Sequence, residues 1–300
     1  MTDTEKRNAY LVLVIAVFCF SFSSIFIRLS DAPAPAIAAY RMVLATLLIA
    51  PFALIRSRKR IASLARNDAW FLVATGAVLA VHFLLFVSAV QNTSIASATI
   101  LINCHPIFVA ILAFALLQEG TRYTTAGAVI GMGGIFVISI GDLGSGNIVG
   151  DAMAVAGALM EAVYIIMTRV MRKRIDVLTF VFMVNAACAL VLVGICIVSS
   201  VPLWPYSTDQ LLLFLGMAII PAAIGYTLYN YSLRYLMAPQ VSVIQLGEAL
   251  FASMMAVLFF SEIPSVTILA GAGLILLGIY FVVRTNGKGK KVVAPEPASL

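Results

Sequence analysis

The sequence predicts an all-α integral membrane protein, with ten transmembrane helices in two inverted five-helix repeats. Three observations lead there. Of the 300 residues, 62% are hydrophobic and 11% charged, and the mean hydropathy is +1.07; a soluble domain carries about a quarter charged residues. Apolar runs near the ~20 residues that cross a bilayer recur along the whole chain. The chain also echoes itself. Sliding it by 143 positions pairs Phe108 with Phe251, Ala113 with Ala256 and Glu119 with Glu262. One extra residue then pairs Gly127-Ala128 with Gly271-Ala272 and Gly134-Ile135 with Gly278-Ile279.

Taken in order, each run has its own boundary chemistry. Ala9–Ile27 continues past signal-peptide length without a small-residue cleavage site, so it reads as a retained helix. Asp31-Ala-Pro33 turns the chain into Pro35–Ile55, whose proline sits where a missing N–H costs nothing. A basic stretch precedes Ala69–Val90. Ile95–Leu117 stops at Glu119, and Tyr123–Ile140 follows with Gly127, Gly131, Gly133 and Gly134, read as close helix packing. The glycine-rich loop 141–146 separates the halves. Asp151–Met171, Val177–Val198, Gln210–Leu233, Pro239–Phe260 and Pro264–Val283 make the second five, with Gly271, Gly273 and Gly278 again in a packing role. Pro106 and Pro221 fall inside the fourth and eighth runs and predict kinks there. The expected division is 1–146, 147–284 and a polar, disordered basic tail 285–300.

Charge orients the chain. Placing the N-terminus in the cytoplasm puts 17 of the 19 basic residues inside, all but Arg28 and Arg41. The outer segments then carry Asp31, Asp142, Asp151, Asp209 and Glu262 and no lysine. This predicts a multi-pass protein of the inner (plasma) membrane with both termini cytoplasmic. The net charge of +6 lies in short clusters beside apolar runs, which is membrane anchoring and not nucleic-acid binding. Five spans per half is an odd number, so the second half enters from the opposite side.

Particular stretches carry a family resemblance. Ser23-Ser-Ile-Phe-Ile-Arg28 and Ala39-Tyr-Arg41-Met-Val-Leu-Ala45 open the first half. Gly150-Asp151, Ala162-Val-Tyr164 and Arg169 open the second, and helices four and nine end in Glu119 and Glu262. From about residue 9 to 284 the chain resembles the drug/metabolite transporter superfamily, specifically its ten-helix EamA type. Where that family often has Trp-Gly early in helix one, this chain has Phe20-Ser21. The resemblance implies solute efflux, with the first four helices of each half around a central cavity and the fifth helices set apart. In size and helix pattern the chain resembles amino-acid exporters of the YddG type.

Ionisable groups at mid-depth cost about 2.5–3.5 kcal/mol each on insertion scales, so each needs a partner, a wet cavity or a function. His82, His105, Glu161, Asn185 and Glu248 lie near the middle of their runs. Cavity lining and interhelical hydrogen bonding are both open readings for them. Helical spacing puts Gly157, Glu161, Tyr164 and Thr168 on one stripe, and Val241, Gln245, Glu248 and Ala252 on another. Thr75, Leu79, His82 and Phe86 form a third; Tyr226, Tyr229 and Asn230 follow Pro221. The candidate substrate-binding residues are therefore Ser21, Ser24, His82, Phe86, Asn103, His105, Glu161, Tyr164, Tyr226, Tyr229, Gln245 and Glu248. The repeat register sets His105 opposite Glu248. Arg41 either snorkels to the interface or pairs with Asp31, or else binds a substrate carboxylate at an outer vestibule. Glu119 and Glu262 are expected to hydrogen-bond nearby loops.

An aromatic and amide lining with acids and imidazoles suits a small zwitterion. An amine would meet Glu161 or Glu248, with cation–π attraction of ~0.5–2 kcal/mol from the tyrosines. The expected function is export of a small metabolite, foremost an amino acid, by alternating access through a midplane cavity, either uniport or proton-coupled. Efflux of hydrophobic or amphiphilic drugs or lipids is the alternative. Exchange of sugar phosphates or nucleotide sugars ranks lower, because it needs cations at mid-depth. The histidines have no His-Glu-x-x-His motif or catalytic elbow, so no enzyme is expected. Cys19, Cys104, Cys188 and Cys196 lie inside apolar runs without metal spacing, and no nucleotide loop occurs; no cofactor is expected. The expected partners are the small-molecule substrate and membrane lipid, with the protein a monomer or weak homodimer.

Overall fold

The computed structural model describes residues 3–92, 101–139, 148–248, 250–251, 254 and 266–284. Among the described residues it is helical with connecting turns and no strand. The principal helices are α1 (Asp3–Arg28), α2 (Ala34–Arg56), α3 (Arg66–Asn92), α4 (His105–Leu117), α5 (Arg122–Ser139), α6 (Ile148–Arg172), α7 (Val177–Val198), α8 (Thr208–Tyr235), α9 (Ala238–Gln245) and α10 (Val266–Arg284). A five-residue helix, Arg58–Ala62, bridges α2 and α3. Six of them, α1–α3 and α6–α8, are long and apolar enough to cross a membrane, and α4 and α10 add shorter apolar helices. The protein is thus an all-α membrane protein. Each of the principal helices overlaps a predicted run, while Arg58–Ala62 was not predicted.

Helix pairing follows the internal echo. α5 packs on α10, α4 on α9 and α2 on α7, each helix against its counterpart five places on. The remaining large contacts come in matched sets: α3 with α6 and α8 with α1, then α3 with α7 and α8 with α2. The glycine contacts show the geometry most directly. A Cβ on Gly127 would stand 2.7 Å from the Gly278 carbonyl oxygen, and one on Gly134 would stand 2.6 Å from that of Gly271. Gly127 is the counterpart of Gly271, and Gly134 of Gly278. Each glycine therefore meets the counterpart of the other, as at an isologous two-fold contact. The partner numbers fall as those of α5 rise, so the two helices run antiparallel. α4 and α9 do too, with Glu119 beside Ala238 and His105 near Gln245 and Glu248. α2 and α7 also run antiparallel, with Ser57 beside Asp176 and Tyr40 bonded to the Leu203 carbonyl.

The predicted close packing holds at Gly127, Gly131, Gly134, Gly271 and Gly278, but Gly133 and Gly273 face open space. The main apolar core unites α1–α4 with α6–α9. α5 and α10 meet α9 in two smaller clusters at one side of it.

The two prolines differ from the expected mid-helix kinks. Asn103 and Cys104 form a turn, and the helix restarts at His105, so Pro106 occupies a first turn where its absent N–H is no loss. Pro221 lies in a π-helical stretch of α8, Ala218–Gly225, closed by a bond from Tyr226 N–H to its carbonyl. The widened turn absorbs the bond that proline cannot donate.

Candidate functional site

The site is built around two helix breaks at equivalent places. α4 begins after the Asn103–Cys104 turn, where Cys104 N–H bonds Leu101 O at 3.2 Å. α9 turns at Leu246, whose N–H bonds Val243 O at 3.2 Å. The repeat register places Asn103 against Leu246. Irregular backbone at membrane depth survives only where protein or a wet cavity satisfies it, and paired interruptions at corresponding places of two repeats are a good pointer to a transporter's binding site.

A cavity of about 150 Å³ lies between these breaks. Asn103 and His105 enter it from α4, and Gln245 and Glu248 from α9 and the turn that follows it. α3 supplies His82, Phe83 and Phe86; α6 gives Glu161 and α8 gives Tyr226. Phe20 and Ser23 come from α1, Arg41 from α2, and Ile102 precedes the α4 break.

One hydrogen-bonded chain crosses four helices here. The Tyr229 hydroxyl donates to Gln245 Oε1 at 2.7 Å, and Gln245 Nε2 donates to Glu161 Oε1 at 2.9 Å. Glu161 Oε2 lies 2.8 Å from His82 Nε2. His82 Nδ1 donates to the Gly157 carbonyl at 3.0 Å, since a carbonyl can only accept. One proton therefore occupies the His82–Glu161 contact, on either the nitrogen or the oxygen, and the pair is neutral overall in both forms. The Phe86 ring stacks parallel to His82, 6.2 Å away.

Eight candidates line the cavity: His82, Phe86, Asn103, His105, Glu161, Tyr226, Gln245 and Glu248. Tyr229 stands behind the wall as the donor to Gln245. Tyr164, also behind it, donates to Asn230 Oδ1 at 3.0 Å. Ser21 does not line the cavity; its hydroxyl bonds back to Phe18 O at 2.7 Å. The side chain of Ser24 lies outside the described residues.

For Arg41 the structure removes the first of the two sequence readings. The residue neither snorkels to the interface nor pairs with Asp31: it is 6% exposed and lines the cavity. Its Nη1 donates to Ser23 Oγ at 3.0 Å, and the guanidinium lies 4.8 Å from the Phe83 ring centre and 5.8 Å from that of Tyr226. The cavity therefore holds a cation, which weakens the ground on which sugar-phosphate exchange ranks lower. Phe20, Ser23, Phe83 and Ile102 were missed. On helix one the sequence candidates are Ser21 and Ser24, and the residues that line the cavity are their neighbours Phe20 and Ser23. Ser23 as a partner for a membrane arginine was the one available signal.

A second charged cluster closes the end of the bundle that bears most of the basic residues. The chain leaves α4 through Gln118 (φ 52°) and Gly120 (φ 142°), a reversal at which Gly120 avoids Cβ strain. Between them, Glu119 accepts from Arg169 Nε at 3.0 and 3.1 Å and from Arg169 Nη2 at 2.9 Å. It also accepts from Lys173 Nζ at 3.2 Å and from the Ala238 N–H at 3.2 Å. Arg169 Nη1 donates to Leu233 O and Arg234 O at 2.7 and 2.8 Å. Glu119 thus does more than bond a loop: it ties the ends of α4, α6, α8 and α9 together. Burial alone would raise the Glu119 carboxyl, but the Arg169 bonds and charge, with Lys173 and the Ala238 N–H, hold it below its ordinary value. Glu262 lies outside the described residues.

The EamA-like transporter family matches this chain twice, over residues 7–140 and 148–284. The chain belongs to that family. Similar proteins include an uncharacterized transporter of Archaeoglobus fulgidus, 26% identical over 93% of this chain and 99% of the relative. Another is human solute carrier family 35 member G1, 26% identical over 86% of this chain and 74% of the relative. A protein of known crystal structure superposes with a TM-score of 0.80 at 17% identity, covering 92% of this chain and 96% of the other. That likeness concerns the fold.

Proposed function

We propose that this membrane transporter exports small zwitterionic metabolites, foremost amino acids, by alternating access around the central cavity. The observation that carries the reading is a single cavity holding Arg41, Glu161 and Glu248 between aromatic walls, placed where both repeats break. Its volume of about 150 Å³ is below the several hundred Å³ usual for drug-sized sites, which favours small solutes over drugs or lipids. Phe20, Phe83 and Phe86 would carry the solute's apolar part. In this arrangement the repeats are inverted, as the antiparallel pairing of counterpart helices supports. The basic end is cytoplasmic and the membrane is the plasma or inner membrane. The Glu119 cluster then closes the cytoplasmic side of the bundle.

Arg41 reopens one rival, exchange of an anionic sugar phosphate. Beside Arg41, however, the same cavity holds the Glu248 carboxylate and the neutral His82–Glu161 pair, which leaves no second cation for a dianion. Purified protein in liposomes tests the reading. Labelled amino acids should enter protein-containing vesicles faster than empty ones; if neither amino acids nor amine drugs cross, the reading fails. The His82–Glu161 contact offers a place for a coupled proton. An imposed pH gradient that accelerates initial uptake marks coupling, and an unchanged rate marks uniport.

A further inference from the structure

The transport reading leaves open which end of a solute each charge holds. Arg41 stands out because its bonding is incomplete. Of the guanidinium's five N–H donors, Nη1 serves Ser23, while the buried Nε has no acceptor. Among the described residues no carboxylate forms an ion pair with Arg41. A guanidinium taken out of water without an anion is costly, and the Phe83 and Tyr226 ring faces offset only part of that cost. A planar fork with a spare donor, fixed by a hydroxyl and by aromatic faces, is the geometry that accepts a carboxylate bidentately.

Glu248 is the complementary group. It lines the same cavity, on the other repeat, and among the described residues no hydrogen bond reaches its carboxylate. The other cavity acid, Glu161, is already committed to His82 and Gln245. One guanidinium from the first half and one carboxyl group from the second are thus left without close partners across a small cavity.

We propose that Arg41 anchors the carboxylate of the transported solute and Glu248 its ammonium group, so that the site selects α-amino acids over amines and over carboxylic acids. This rests on the transport reading above and adds the orientation of the solute. A bound zwitterion bridges the two repeats, completing both charges at once. A solute lacking either group leaves one charge buried and unpaired, and that penalty provides the discrimination.

The test uses the full chain in proteoliposomes, with exchange of labelled L-phenylalanine competed by L-phenylalanine, phenethylamine or 3-phenylpropionate. For the wild type, each half-molecule should compete at least about tenfold more weakly than L-phenylalanine, the size of one lost charged hydrogen bond. Arg41→Gln should weaken L-phenylalanine about tenfold or more while leaving phenethylamine within about twofold; Glu248→Gln should spare 3-phenylpropionate instead. Ser23→Ala keeps the charge and loosens the anchor, and should weaken L-phenylalanine about threefold without affecting phenethylamine. It serves where Arg41→Gln does not fold. Equal losses for L-phenylalanine and phenethylamine in these variants would make Arg41 a structural counter-charge and overturn the assignment, with amino-acid transport intact. A wild-type protein that carries no amino acid would instead remove the transport reading and the assignment with it.

Discussion

Two acid–base pairs of nearly equal length occupy two depths of this bundle. Glu119 and Arg169 meet at 2.9 Å at the basic end, and Glu161 and His82 at 2.8 Å in the centre. Their surroundings differ. Around Glu119 the oxygens are consumed by Arg169, Lys173 and a helix N-terminus, while Arg169 spends its remaining donors on two carbonyls at the end of α8. Around Glu161 the pair is satisfied, but it borders a cavity in which Arg41 Nε is unpartnered. Residue chemistry alone does not separate a staple from a transport site. Saturation does, because a group with every bond made has nothing left for a solute.

The largest effect that would break this contrast is expected at Glu161. Glu161→Gln leaves His82 and Gln245 without their charged partner in the wall that also holds Arg41 and Glu248, and by disturbing that wall should lower amino-acid flux on the order of 10–100-fold, the equivalent of one or two charged hydrogen bonds. A flux close to wild type would make the central pair as structural as the peripheral one. Glu119→Gln should act on stability instead. Thermal unfolding in detergent should show a loss on the order of 2–3 kcal/mol, because Arg169 keeps its burial and loses its anion. Selectivity among solutes should stay unchanged.

The pH dependence of the staple has a definite sign. The Glu119 carboxyl is held below its ordinary 4.5 in the folded state. Its contribution is therefore present in full above that ordinary value and is lost as pH falls through the depressed folded value. Wild-type protein should lose stability over that acidic range, and the Glu119→Gln variant should lack this component of the loss.

A smaller effect separates two neighbouring glycines. A Cβ at Gly134 would sit 2.6 Å from the Gly271 oxygen and 2.9 Å from the Ile275 nitrogen, whereas one at Gly133 would meet nothing within 4 Å. Gly134→Ala should cost about 1–3 kcal/mol by prising α5 from α10, and Gly133→Ala within about 0.5 kcal/mol of nothing. Thermal unfolding of both variants checks the pair.

The fold was readable in the sequence because hydropathy runs, lysine and arginine asymmetry and the 143-residue echo are each long-range averages that local detail does not disturb. The cavity was half readable. His82, Glu161, Gln245 and Glu248 announce themselves as polar residues deep in apolar runs. Phe20, Phe83 and Ile102 do not, since an apolar residue facing a cavity has the same composition as one facing lipid or core. Arg41 stays between two readings in the sequence for a geometric reason. Its position about two turns into α2 fits snorkelling equally well, and only the approach of Ser23 and Phe83 from other helices turns it inward. The break at Asn103 was hidden by Pro106, which marks an interruption without saying on which side the chain turns.

The central claim is that the unpartnered charges of the cavity, and not the saturated cluster at the basic end, recognise the solute. Exchange of labelled L-phenylalanine by proteoliposomes carrying wild-type, Glu248→Gln or Glu119→Gln protein tests it most directly. Wild-type vesicles should exchange well above empty ones. Glu248→Gln should show an apparent affinity at least about tenfold weaker, and Glu119→Gln an unchanged preference for L-phenylalanine over phenethylamine. A Glu248→Gln protein that binds like the wild type, or a Glu119→Gln protein that loses its preference, would contradict it.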